Sequence, residues 1–163
     1  MSGRITIERA SAADADVVAP LFAAYREFYK KPDGEAGRCA VFMRERLTRG
    51  ESVVFMARQP ARGDVEPGKA ALPPIAGFAQ LYPIFTSVGL ARVWHLNDLF
   101  VAPGHRRAGI ARALVLHCMA FARQDGAARL TLETQQDNGA ARALYERLGF
   151  VVGTEFVKYA VKF

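Results

Sequence analysis

Cysteine is nearly absent from this 163-residue chain, with only Cys39 and Cys118 present. Two isolated thiols exclude a disulfide framework and a cysteine-built metal cluster, and no His/Cys pair stands at metal-ligand spacing, so no metal is expected. Long apolar runs are missing too. None approaches the roughly 20 residues of a membrane span, and the first residues carry no signal-peptide core, so the expectation is a cytoplasmic protein with no membrane partner. Two phosphate-binding signatures are also lacking. G-x-x-x-x-G-K-[ST] is not found, which excludes a P-loop, and neither is G-x-G-x-x-G, which excludes the dinucleotide fingerprint. No internal repeat or low-complexity tract interrupts the chain. Lysine and arginine outnumber aspartate and glutamate 22 to 16, for a net charge of +6. That excess suits a nucleic acid or a small polyanion equally well. The arginines, however, are scattered among apolar helix positions rather than gathered with stacking aromatics, so nucleic acid is not expected as a partner.

A chain of this length and half-hydrophobic composition reads as one domain over residues 1–163 with a substantial core. Period-two alternation marks "RITIERA" (4–10) as a first strand. Ser11 is placed to cap a helix through Leu21, Phe22 and Tyr25, which "KKPDG" stops. Residues 35–49 predict a second helix with Val41, Phe42, Arg46 and Leu47 at helical spacing, ended by Gly50. Strands follow at 52–59, 75–85 and 92–101, with a long hairpin loop at 60–74 between the first two. A helix over 107–125 turns Ile110, Ala113, Leu114, His117, Cys118 and Phe121 inward. Next come a strand at 129–135, a helix in "NGAARALYERLG", and two short strands around Gly153 in "FVVGTEFVKYAVKF". The expected architecture is mixed α/β in the order β-α-α-β-β-β-α-β-α-β-β, built on one main sheet.

Chemistry concentrates where "LNDLFVAPG" turns into "HRRAGIARAL". A helix start leaves its first N–H groups without partners and carries partial positive charge, which together hold phosphate oxygens. Gly109 lacks the Cβ that would keep an anion off the backbone, and Ala111 is nearly as small. Arg106, Arg107 and Arg112 add charge and forked donors. Residues 106–112, from Arg106 through Ala108, Gly109 and Ile110 to Arg112, therefore read as a pyrophosphate cradle. A solvated basic turn is the plainer alternative; the strand before and the strong helix after favour the cradle.

Two motifs now carry a resemblance. "RRAGIA" resembles the R/Q-x-x-G-x-G/A motif of the GNAT superfamily of N-acetyltransferases, and "NGAARALYERLGF" (138–150) resembles that family's N-x-x-A-x-x-L-Y-x-x-x-G-F. They occur in family order and at a family-like separation. The resemblance is close over the second half of the chain and rests on element order in the first. It implies a mostly antiparallel central sheet with helices on both faces, and acetyl-coenzyme A as donor without a metal. It implies that the fourth strand splays from the fifth, leaving the backbone of Leu99, Phe100 and Val101 for the pantetheine, with the Leu99 amide near the acetyl carbonyl. It further implies Tyr145 as the acid for the leaving thiolate and Asn138 as a cofactor contact. The plainer reading of Tyr145 is packing.

The proton acceptor is a choice among three. A central strand covered on both faces should be almost wholly apolar, yet "WHLNDLF" holds His95, Asn97 and Asp98. Buried polar groups need partners or a task. His95 lies where histone-type and arylalkylamine relatives carry their base, and histidine changes charge near neutral pH. Asp98 resembles the second acid of the "E-D-[LFI]-[FY]-V" segment of the diamine and polyamine branch, whose preceding Glu is here Asn97. The base is His95, Asp98 or water; a core histidine and a structural carboxylate are the alternatives. A regular strand would place His95 and Asp98 on opposite faces, and a bulge would change that.

For the acceptor, "FAAYREFYKKP" (22–32) sets Phe22, Tyr25, Phe28 and Tyr29 close together. Phe22 and Tyr25 read as core, leaving Phe28 and Tyr29 to cage an ammonium or an aliphatic chain. Glu27, Asp33, Glu35 and Asp98 are candidates for an acidic groove, and Arg26, Arg38 and Arg44 for an acceptor carboxylate. The expected activity is acetyl transfer to the primary amine of a small molecule such as an amino acid, diamine or polyamine. The alternatives are a protein lysine or N-terminal acetyltransferase and a non-catalytic acetyl-coenzyme A-binding module. A homodimer through the late strands is expected from the family, with "TEFVKYAVKF" as its candidate contact.

Overall fold

The computed structural model describes residues 4–31, 36–59 and 74–163. The chain divides into two compact units, Met1–Glu133 and Thr134–Phe163. The hairpin loop expected at 60–74 falls almost wholly outside the described residues, as do Asp33 and Glu35.

The first unit holds a five-stranded sheet in the order β1 (Thr6–Arg9), β2 (Val53–Arg58), β3 (Ile75–Thr86), β4 (Ala91–Val101), β5 (Arg129–Leu132). Every pair is antiparallel except β4 with β5, which is parallel. A parallel pair needs a crossover, and α3 (Ile110–Gln124) supplies it. Alternation along β2 sorts the layers. Val54 and Met56 face α1 (Ala15–Phe28) and α2 (Ala36–Thr48), where they meet Val18, Phe22, Cys39, Met43, Phe78 and Phe100 in one core. Phe55, between them, points the other way, onto His117 and Phe121 of α3. Helices thus cover both faces. Met43, Met56, Phe78 and Leu81 are completely enclosed, and each such side chain stabilises the fold by roughly 1.5–3 kcal/mol.

Three expectations need correction. The inward face of α2 is Cys39, Ala40 and Met43, whereas Val41 is 53 % exposed and Phe42 41 %. Both ways of phasing the helix bury apolar residues, and the small side chains let α2 sit close to α1. The helix expected from 107 begins at Ile110, because Arg107 and Gly109 take φ of 60° and 83°, outside helical geometry. Within the second unit taken by itself, residues 151–163 lie in no helix or strand, so the two expected final strands have no pairing partner there. Their alternating pattern is strand-like, but a strand exists only against a neighbour.

In the second unit, α4 (Gly139–Arg147) starts at Asn138, whose Oδ1 accepts from the Ala141 amide at 3.2 Å. It ends in a Schellman turn. The Phe150 amide donates to the Tyr145 carbonyl at 3.0 Å, the Gly149 amide to the Glu146 carbonyl at 3.1 Å, and Gly149 takes φ 89°. The rings of Tyr145 and Phe150 close the turn at 5.8 Å.

Candidate active site

The decisive local feature is a bulge in β4. Gln80 pairs with Asp98, but its neighbour Leu81 pairs with Leu96, so Asn97 is the extra residue. One inserted residue reverses the facing of everything beyond it. His95 and Asp98, three apart, therefore share the face that packs against α1. Trp94 and Leu96 are left toward α3, where Trp94 meets Phe121 at 5.1 Å.

Around Asp98 the bulge assembles a buried polar cluster. Asp98 is 5 % exposed and Gln80 fully buried. Gln80 Nε2 donates to Asp98 Oδ2 at 2.9 Å and to the Tyr82 hydroxyl oxygen at 2.6 Å. Asn97 Nδ2 donates to Asp98 Oδ1 at 3.1 Å. The Tyr25 hydroxyl donates to the same carboxylate and also bonds Tyr29, whose ring lies 5.0 Å away. Burial pushes the Asp98 carboxyl above its usual range, against the pull of the Asn97, Gln80 and Tyr25 donors and of nearby His95. Burial, reinforced by the Asp98 charge, raises the Tyr25 phenol strongly and pushes Tyr82 up to about 12. Both phenols thus stay protonated and serve as hydrogen-bonding groups. Oε1 of Gln80 has no partner among the described residues.

His95 is half-buried, and its Nδ1 sits 3.0 Å from the hydroxyl of Thr131, opposite it on β5. In the tautomer whose Nδ1–H donates to the Thr131 hydroxyl, Nε2 is an acceptor; in the other, the hydroxyl donates to Nδ1. Asp98, by contrast, has donors on both oxygens.

Beyond the bulge, β4 leaves β5. The parallel pairing covers only Val93–Leu96. The Ala102 amide bonds the Ala76 carbonyl at 2.9 Å, so the alternation of antiparallel bonds turns the amides of Asp98 and Phe100 toward β3. Those of Leu99 and Val101 point to the side that β5 has left. Phe100 offers backbone only, since its ring is in the core against Tyr25 and Phe78. This splayed edge runs into the Pro103–His105 turn and the start of α3. There the positive φ of Arg107 and Gly109 precedes the open first turn of Ile110, Ala111 and Arg112. A side chain at 109 would be strained whatever the space around it. The side chains of Arg107 and Arg112 are exposed to solvent, while Arg106 bends back so that its Nε donates to the Val101 carbonyl at 3.1 Å. Ala108 lies half-buried between the two positive-φ steps of the turn.

The Acetyltransferase (GNAT) family model matches residues 20–150. The chain belongs to the GNAT family. Among its GNAT relatives is YhfO, an uncharacterized N-acetyltransferase of Bacillus subtilis (strain 168), 39 % identical over 157 residues and covering 96 % of this chain and 97 % of that one. A probable acetyltransferase of Haemophilus influenzae is 30 % identical over 122 residues, 75 % of each chain. The crystal structure of a probable acetyltransferase superposes with a TM-score of 0.82 at 35 % identity, covering 97 % of both chains. The expected α/β GNAT fold and N-acetyltransferase family are thereby established.

Within the GNAT frame, the structure brings His95, Asp98 and Tyr29 to one cluster, with the Phe28 ring edge-on to Tyr29 at 5.3 Å and 55 % exposed. Arg44 is paired with Asp16 at 2.6 Å. Asn138 spends its side-chain oxygen on capping α4, and Tyr145 is buried in the second unit. Sequence reasoning missed Tyr25, Gln80, Tyr82 and Thr131. Gln80 did leave a signal: it is the one amide in the apolar run "IAGFAQLYPIF", the same anomaly that singled out His95. Among the described residues no group of His, Cys, Asp and Glu is arranged to hold a metal. Burial pushes the Cys118 thiol up to about 12, which makes it inert.

Proposed function

We propose that this GNAT protein transfers the acetyl group of acetyl-coenzyme A to the primary amine of a small molecule by direct attack in a ternary complex. The observation that carries this reading is the buried Asp98 carboxylate beside His95, brought to one face by the Asn97 bulge. An enclosed carboxylate attracts an ammonium strongly because little water screens it. His95 Nε2 then removes the proton that must leave before an amine can attack, directly or through water. Tyr29 and Phe28 line the approach with aromatic faces suited to a cation.

The residues present fit the donor. The amides of Leu99 and Val101 suit the pantetheine, and the first turn of α3 with Arg107 and Arg112 suits the pyrophosphate. The bound thioester supplies an activated acyl group. The Leu99 amide is the chain's donor for an oxyanion on that group, and Tyr145 is the proposed acid for the leaving sulfur.

Gly109→Val tests the cradle. Forcing a branched residue to a positive φ costs about 1–3 kcal/mol, so acetyl-coenzyme A affinity measured calorimetrically should fall about tenfold or more, with kcat much less affected at saturation. Unchanged affinity would remove the turn from the donor site.

Free-thiol release from acetyl-coenzyme A, run against polyamines, thialysine, L- and D-amino acids, aminoglycosides and a histone-tail peptide, tests the reaction. Release with one small-amine class is the expected result. Release with the peptide alone, or none from protein that binds acetyl-coenzyme A, would overturn the proposal.

A further inference from the structure

A cavity of about 290 Å³ lies at the far end of the sheet from the start of α3. The end of β1, the starts of β2 and β4 and the end of α3 converge there. α3 has 15 residues, so about 22 Å of helix separates this cavity from the proposed pyrophosphate turn. The cavity also avoids the His95–Asp98 cluster. It uses Trp94, which points to the α3 face, whereas His95 and Asp98 point to α1.

Its polar groups are unevenly engaged. Asp125 is fully committed: Trp94 Nε1 donates to its Oδ2 at 2.9 Å, and Arg92 Nη1 donates to both oxygens, at 3.0 and 3.2 Å. The Trp94 donor first, then Arg92, holds the Asp125 carboxyl below its usual range, so it stays charged and offsets Arg92. Arg9 has no such partner. Its guanidinium lies over the Phe121 ring, 5.5 Å from the centroid, and makes no hydrogen bond or ion pair among the described residues. Ser52 is 4 % exposed, and its hydroxyl has no hydrogen-bond partner among the described residues. An unanswered buried hydroxyl costs stability, and a ligand seated in the cavity that Ser52 lines would answer it.

The surplus is therefore one positive charge and a few donors, set among the apolar surfaces of Trp94, Phe121 and Val53. Apolar walls with a small number of convergent polar groups make a small-molecule site. We propose that this cavity binds a small organic monocarboxylate with an aromatic body, its carboxylate facing Arg9 and Ser52. One negative charge neutralises Arg9, whereas a second would face Asp125 without compensation. The volume admits about ten non-hydrogen atoms, at the roughly 30 Å³ that each water takes in the liquid. Nothing in this site depends on the acetyl acceptor.

Trp94 is the only tryptophan of the chain, so its fluorescence reports on the cavity. Phenylacetate has the required size and charge. Titrated into the full chain, it should change the emission saturably, with half-saturation between roughly 0.1 and 10 mM, as suits a ligand of that size. Phenethyl alcohol and phenethylamine, its neutral and cationic counterparts, should bind about tenfold more weakly or worse. Saturating acetyl-coenzyme A should leave the phenylacetate affinity unchanged. Arg9→Gln should weaken binding about tenfold or more through loss of charge-assisted hydrogen bonds, and Ser52→Ala about threefold, with the circular dichroism of both retained. No saturable change in emission or in calorimetric heat overturns the proposal. So does equal binding of the alcohol, competition by acetyl-coenzyme A, or an Arg9→Gln variant that holds phenylacetate as tightly. Should Arg9→Gln not fold, Ser52→Ala and the charge series on the unaltered protein decide.

Discussion

Asp98→Asn is expected to lower kcat/KM by roughly thirtyfold to several-thousandfold, the effect of losing about 2–5 kcal/mol when one member of a desolvated charge pair is removed. The substitution keeps the shape of the side chain and deletes its charge, so it removes the attraction for an acceptor ammonium while leaving the bulge in place. Stability responds in the opposite sense as pH rises. Burial raises the Asp98 carboxyl in the folded state, so over the window from the unfolded value, near 3.9, up to the raised folded value, the native protein holds more proton than the unfolded chain. Stability of the native protein therefore falls as pH rises through that window. The amide variant has no ionisable group there and no such dependence. Unfolding midpoints of the two proteins, followed from pH 4 to pH 7, should shift in favour of the variant with rising pH. Parallel curves would mean that Asp98 ionises as easily in the fold as out of it, and an unimpaired kcat/KM would remove the carboxylate from acceptor binding.

That prediction rests on a feature the sequence does not display. The polar run "HLND" announces a strand with unusual duties, and it separates His95 from its apolar neighbours. Facing is another matter. Strict alternation puts His95 with Asn97 and turns Asp98 away, whereas the structure leaves Asn97 out of the pairing and sets His95 and Asp98 side by side. A bulge is a choice between registers, decided by which side chains the two covering layers can bury. No local propensity records it. Tyr25 was concealed for a related reason. Its ring does pack against Phe78 and Phe100, so a core assignment is half right, but its hydroxyl reaches Asp98 across the layer between α1 and β4. Tyrosine carries both properties, and only the packing geometry tells which end is used. The turn before α3 was far more legible, because a glycine before a helix start is a backbone requirement, local by nature. Gly109 needs its positive φ whatever surrounds it. The segment after Gly149 marks the other limit. Its alternation is that of a strand, but a strand is defined by its neighbour, and the second unit by itself offers none.

Tyr145→Phe should lower kcat by about two to four orders of magnitude, the usual contribution of a positioned acid, while acetyl-coenzyme A affinity stays within a factor of about two. The substitution is sharp because the ring's structural work survives it. Phenylalanine keeps the contact with Phe150, and the Schellman bonds that end α4 are made by backbone groups. A packing role alone would thus leave turnover unchanged. A change of leaving group then separates acid catalysis from a general disturbance. The phenol matters only while the departing sulfur needs a proton, so an acetyl thioester of a strongly acidic aromatic thiol, which departs readily as the thiolate, should be used almost equally well by both proteins. If the deficit persists with that donor, Tyr145 supports the site by shape and the sulfur takes its proton from elsewhere.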